Sequence, residues 1–271
     1  MLGNWCSRTM KKLDYILAGY FGLILLFIYA PILSVIIFSF NEGSGLSLPL
    51  TGFSTKWYVK FFSNKAAVTA LIESVKLAVA TTIVTTILVV ITALSFRRGL
   101  RFRTPLLYII LLGILTPGVI YGLGAAILYG QILNTSLSIW TAIPIEVIWT
   151  LPFGLILMLA RFDPELATYE QAARTLGANE IQVFRQITLP LISVHVIAVA
   201  LFSFTLTFGE LLRTMFVMKN PPVLPLYVYS WTTNAALTPD FYAIGTFTIS
   251  ISFILLFIAG LLLSKGSGKK I

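Results

Sequence analysis

A chain of 271 residues with 58% apolar and only 11% charged side chains cannot be built around a water-soluble core, since soluble domains carry roughly 25% charge. Its formal charge of +9 does not mark a nucleic-acid partner, which would need a basic face on a soluble module; in a membrane chain the placement of the cations matters more. The lone cysteine, Cys6, excludes an intrachain disulfide, and no cysteine and histidine cluster offers a zinc site.

Apolar runs of the roughly 20 residues needed to cross a bilayer predict an all-α membrane protein with six transmembrane helices. They lie at about 14–40, 67–96, 105–133, 137–160, 191–218 and 241–264, in one membrane domain over residues 1–271. The first run is too long for the apolar stretch of a cleavable signal, about 7–15 residues, and reads as a retained span. With both termini cytoplasmic, thirteen of the 19 basic residues fall on the inner side, the orientation that the positive-inside rule favours.

In the first outer loop Trp57 and Phe61 are four residues apart, as are Tyr58 and Phe62, beside Lys60. This predicts a short helix at the membrane interface. The second span holds Glu73 and Lys76 at i,i+3. The third contains Gly113, Pro117, Gly118, Gly122 and Gly124; the GxxxG spacing of Gly118 and Gly122 suits close contact with another helix, although such residues are common in membrane helices anyway. Glu146 lies in the fourth span with no local partner, and the fifth carries Glu210 and Arg213. Ionisable groups within spans cost about 2.5–3.5 kcal/mol each and by default mark pathways. For the two i,i+3 pairs, mutual neutralisation is the plainer account.

Between the fourth and fifth spans, residues 161–190 hold four of the ten acidic residues. Asp163 before Pro164 is a helix-start signal, Gly177 suits the left-handed position that closes a helix, and Asn179 with Gln182 forms a fresh capping pair. Two short helices with a bend are predicted. On the first, Leu166, Tyr169, Ala173 and Leu176 recur at helical spacing, and Glu170 and Arg174 stand at i,i+4. The amphipathic pattern alone fits packing under its own bundle as well as docking to a partner.

The run Gln171-Ala172-Ala173-x3-Gly177-x9-Ile187-x-Leu189-Pro190 resembles the loop signature of ABC importer permeases, Glu-Ala-Ala-x3-Gly-x9-Ile-x-Leu-Pro. Gln171 stands in place of the glutamate with Glu170 beside it, which leaves open which side chain makes the polar contact. Tyr29-Ala-Pro-Ile, Ser39-Phe-Asn41 and Gly52-Phe-Ser-Thr-Lys-Trp-Tyr58 extend the resemblance to the spermidine/putrescine permease branch. It implies a type I ABC importer permease (MetI-like) bundle in the bacterial inner membrane, with residues 163–190 as the coupling loop. Glu170, Gln171, Ala172, Ala173, Gly177, Ile187, Leu189 and Pro190 would be its ATPase-coupling positions.

The implied partners are two cytoplasmic ABC ATPase subunits, a second, related but distinct permease subunit, an extracytoplasmic solute-binding protein and membrane lipid. ATP and Mg would be held by the ATPase, and this chain would bind no cofactor and perform no catalysis. The C-terminal Gly266-Ser-Gly-Lys-Lys270 lacks the strand, hydroxyl and helix of a phosphate loop. A polyamine cargo would meet carboxylates and aromatic faces, making Glu210, Glu146, Trp149, Tyr121 and Glu73 the candidate substrate-pathway residues. An aminophosphonate, another organic cation, sulfate or an iron-chelate stays open as cargo within the same architecture. Outside it, an ion-coupled secondary carrier is disfavoured by the absence of an internal repeat; an intramembrane enzyme is disfavoured because no nucleophile–base pair or metal cluster is visible.

Overall fold

A computed structural model describes residues 2–43, 50–160, 162, 165–218, 220–234 and 238–267. Regular structure among them is helical, apart from one isolated bridge between Asn41 and Phe53. That is what the bilayer demands of open chains, because a helix satisfies its backbone polar groups internally.

One compact unit comprises residues 1–64 and 236–249. It contains α1 (Leu2–Ser39), α2 (Lys56–Ser63) and the start of α11 (Pro239–Ser267). The aromatic spacing of 56–62 does form the predicted short helix, yet Trp57 and Phe61 are buried in protein. Trp57 Nε1 donates to the Asn41 carbonyl at 2.6 Å, and Phe61 packs on Phe247 at 5.9 Å between ring centroids. Lys60 pairs with Asp240 at 3.1 Å. Only the remaining face of α2 is available to an interface.

The other unit comprises residues 65–235 and 250–271, and α3 (Lys65–Arg97) is its central helix. Its buried face repeats small residues at helical spacing, among them Ala67, Ala70, Ser74, Ala78, Thr81, Thr85 and Ala93, so neighbouring backbones approach closely. Against it lie α6 (Ile139–Leu159) and α9 (Leu189–Phe208). A Cβ added at Gly154 of α6 would lie 2.9 Å from Val89 and 3.0 Å from Val199, which is why glycine stands where the three helices meet. Thr85 and Thr150 hydroxyls share a 2.7 Å hydrogen bond across the α3–α6 seam, and Leu224 N–H, opening α10 (Leu224–Asn234), donates to Ser74 Oγ at 2.7 Å.

Among the described residues five helices are long and apolar enough to span a bilayer, and a bent pair makes a sixth. That pair is α4 (Arg103–Leu115) and α5 (Gly118–Ile127), the latter continued by a π turn over Leu128–Ile132. The third span, expected over 105–133, is broken by 98°. Pro117 has no N–H to continue the helix and pushes Thr116 to an extended conformation, φ −80° and ψ 127°.

The glycines of this span serve two contacts. A Cβ on Gly113 would press on the Ile148 carbonyl of α6, whereas Gly118 and Gly122 abut Arg213 and Phe216, which belong to a turn. The GxxxG pair therefore meets a tight turn in place of the expected helix. A second correction concerns the fifth span: α9 stops at Phe208, ten residues before the expected end at 218. Gly209 closes it, and Glu210 takes the backbone N–H of Arg213 at 3.1 Å, opening a turn that leads to a 3-10 segment at Thr214–Phe216. Glu210 and Arg213 are thus on a turn, outside a spanning helix.

Candidate functional site

The segment between the fourth and fifth spans folds as an elbow. Asp163 and Pro164 lie outside the described residues; α7 runs over Leu166–Thr175. Gly177, at φ +88°, occupies the left-handed conformation that side chains disfavour. Its N–H donates to the Arg174 carbonyl and the N–H of Ala178 to that of Ala173, both at 3.0 Å, the paired bonds of a Schellman closure. Two residues on, Asn179 Oδ1 accepts from Gln182 N–H at 2.9 Å while Gln182 Oε1 accepts from Asn179 N–H at 2.8 Å. This capping box starts α8 (Glu180–Val183). A π turn over Phe184–Thr188 then leads into α9, so the helix is continuous over Glu180–Phe208, with Pro190 just past the π turn.

The face of α7 that turns inward is not the apolar stripe read from the sequence. Leu166 and Glu170 are buried and Ala173 is half-buried, whereas Tyr169, Gln171 and Ala172 are exposed. Leu176 is 88% exposed and Ile181 70%. Burial of Glu170 is explained by its partners: one carboxylate oxygen accepts from the Arg97 guanidinium at the end of α3 and from Thr188 Oγ1, the latter at 2.6 Å. The Arg97 guanidinium also stands 5.5 Å from the Phe162 ring centroid.

The expected Glu170–Arg174 pair does not form; Arg174 instead holds Glu180 through two bonds, 2.7 and 3.2 Å, and Arg98 joins the same carboxylate at 3.0 Å. The Arg174 hydrogen bond, with help from Arg98, holds the Glu180 carboxyl below the usual carboxylate range. These groups, with Ala167 and Gln171, line a groove of about 360 Å³. Ile187 is half-buried, and Leu189 and Pro190 are exposed. Arg97, Arg98, Glu180 and Thr188 were not singled out by local spacing. The two arginines stand in the sequence only as inner-side charge, and their partners are 73 and 82 residues away.

A second constellation sits in the helical bundle. Glu146 on α6 has no exposed surface, and neither carboxyl oxygen has a hydrogen-bond partner among the described residues. The charged groups acting on it are Glu210 and Arg213. Arg213 Nη1 lies 2.9 Å from Glu210 Oε2, and its guanidinium lies 3.8 Å above the Trp149 ring. Gly118 leaves room there, since a Cβ would come within 3.0 Å of that guanidinium. Trp149 meets Phe153 edge-on at 4.8 Å. Tyr121 packs against the apolar cluster around Leu77, Ile145 and Val217, and Glu73 is engaged by Lys76 at 2.7 Å, the expected i,i+3 pair. Of the five candidate pathway residues, the structure brings together Glu146, Trp149 and Glu210.

The family described as "Binding-protein-dependent transport system inner membrane component" matches residues 86–268. The chain is 28% identical over 247 residues to the spermidine/putrescine transport system permease protein PotC of Haemophilus influenzae, covering 89% of this chain and 93% of that protein. It is 29% identical over 256 residues to the putrescine transport system permease protein PotI of Escherichia coli K12, covering 90% and 89%. Among solved structures, a chain of a bacterial ABC transporter importing the acidic polysaccharide alginate shares the fold, at TM-score 0.56 and 19% identity over 95% of this chain and 97% of that one. The match to the family runs from within α3 through α11 of this multi-pass helical bundle, and the chain belongs to the binding-protein-dependent transport system inner membrane components.

Proposed function

We propose that this chain is one permease half of an ATP-driven importer carrying spermidine- or putrescine-type polyamines into the cytoplasm. The observation that carries the transport role is the elbow. Its two short helices are fastened inward by Glu170 and Glu180, while Tyr169, Leu176 and Ile181 point apolar surface outward. Apolar side chains so exposed on a charged loop call for a partner surface, and a cytoplasmic ATPase groove is the partner that the family's chemistry supplies. Gln171, exposed on α7, is the polar side chain available to it; Glu170 is committed within the chain.

Movement of the ATPase subunits against α7 and α8 would pass through Glu170 to α3 and through Thr188 to α9. Two such permease halves, this one and a related chain, would enclose the pathway, with a solute-binding protein delivering cargo from outside. ATP and Mg belong to the ATPase. A polyamine cargo is supported by the similarity to PotC and PotI and by an aromatic face and a carboxylate around one guanidinium. Ammonium groups are recognised by this chemistry.

The test is uptake of radiolabelled spermidine and putrescine into vesicles holding the chain with its ATPase, companion permease and binding protein. Uptake that needs all four and ATP is expected. Uptake by this chain alone would make it an ion-coupled carrier instead.

A further inference from the structure

The polyamine reading places an ammonium site at Trp149 and Glu210, and in this structure that site already contains a cation. We propose that Arg213 is a tethered occupant of the cargo's ammonium site, and that an arriving ammonium displaces its guanidinium from Glu210 and Trp149 onto Glu146. The inference rests on the proposed cationic cargo.

Position supplies the first argument. Arg213 stands where an ammonium group would, with Nη1 2.9 Å from Glu210 Oε2 and the guanidinium 3.8 Å above the Trp149 ring, a carboxylate and an aromatic face being the pair that holds such a cation.

The distribution of hydrogen bonds supplies the second. Arg213 uses both oxygens of Glu210, one through its backbone N–H at 3.1 Å and one through Nη1 at 2.9 Å. Both oxygens of Glu146 are left without partners, as is Arg213 Nε. A buried carboxyl without hydrogen bonds is costly, and a second state that engages it would relieve that cost. Arg213 has an unused donor for that purpose.

Distance supplies the third. Trp149 follows Glu146 by three residues on α6, so the two side chains are neighbours on one helix face. A guanidinium stacked on Trp149 needs to travel only about one helical turn, roughly 5 Å, to reach Glu146. Exposure runs the same way: Trp149 is half-buried, Glu210 has 13% of its side chain exposed, and Glu146 has none. Cargo thus meets the aromatic ring and Glu210 first, and Glu146 is the interior seat to which the displaced arginine retreats. An anionic cargo would find the guanidinium already paired with Glu210.

The complete transporter in vesicles, with saturating spermidine-loaded binding protein and ATP, provides the test. Glu146→Gln removes the retreat position and is expected to lower the uptake rate about tenfold. Adding Arg213→Gln to it removes the cation that needs the position, and should restore uptake to within about twofold of wild type. A residue that merely packs would give no such rescue. If Glu146→Gln uptake equals wild type, or the double variant is as slow as the single one, the exchange is wrong. Should Glu146→Gln fail to assemble, Arg213→Gln alone decides: spermidine binding to the assembled complex tightened about threefold or more supports a displaceable occupant, and unchanged or weaker binding overturns it. If the wild-type complex moves neither spermidine nor putrescine, the cargo reading itself fails.

Discussion

The carboxylate of Glu170, 4% exposed on α7, accepts hydrogen bonds from Arg97 at the end of α3 and from Thr188 just before α9. Three elements far apart in the chain therefore converge on one oxygen atom. Under the proposed coupling role, a push on the elbow would pass through this connection to the spanning helices.

Substituting Glu170→Ala strands a half-buried guanidinium and a buried hydroxyl. Breaking such a cluster by removing one partner should cost about 3 kcal/mol, seen as a lower unfolding midpoint of the purified complex. Transport should fall with it. Gln171→Ala, on the exposed side, should leave the midpoint unchanged and weaken ATPase association instead.

Gly177 holds a φ of +88°, and nothing lies within 4 Å of where its Cβ would be. Backbone strain is thus the only expected penalty. Gly177→Ala should cost about 1 kcal/mol, and Gly177→Asn less, because asparagine tolerates this conformation. Transport rates of the two variants should keep that order, with a β-branched Gly177→Val below both.

At Gly154 the penalty is one of space. Val89 and Val199 stand within 3.0 Å of an added Cβ, so Gly154→Leu forces α3, α6 and α9 apart. Overpacking of this kind costs about 1–3 kcal/mol, and a reduced yield of assembled complex is the expected readout.

The Glu180 carboxyl is held below its ordinary range by Arg174 and then Arg98. A depressed folded-state value means that the stabilisation is complete above the unfolded-state value and is lost as pH falls through the folded one. Permease–ATPase association should therefore show no pH dependence from this group between neutral pH and about pH 5, where its contribution is complete. A Glu180→Gln variant should weaken association in that window and make it insensitive to further acidification through this site.

Much of the elbow was legible in the sequence because its signals are local. Gly177 and the Asn179–Gln182 pair act over three or four residues, and both form as their spacing predicts. The ties of Glu170 were not legible, since Arg97 lies 73 residues away and helical spacing points only to Arg174. The spans were legible from apolar length, whereas their irregularities were not. Pro117 is visible in the sequence, but a proline can kink a membrane helix slightly or break it by 98°, depending on whether something packs into the break. Here the turn bearing Arg213 and Phe216 does so against Gly118 and Gly122. Trp149 and Glu210 were visible as cation-binding residue types; that Arg213 already fills the place between them depends on α9 ending at Phe208.

The most direct measurement is site-specific crosslinking of the assembled transporter from the elbow. In a Cys6→Ser background, Leu176→Cys places the chain's only thiol at an 88% exposed position beside Gly177. A crosslink to the ATPase subunit, with a yield that changes on ATP binding, is the predicted result. Labelling of that thiol in intact cells by a membrane-impermeant reagent, with no crosslink to the ATPase, would contradict the account.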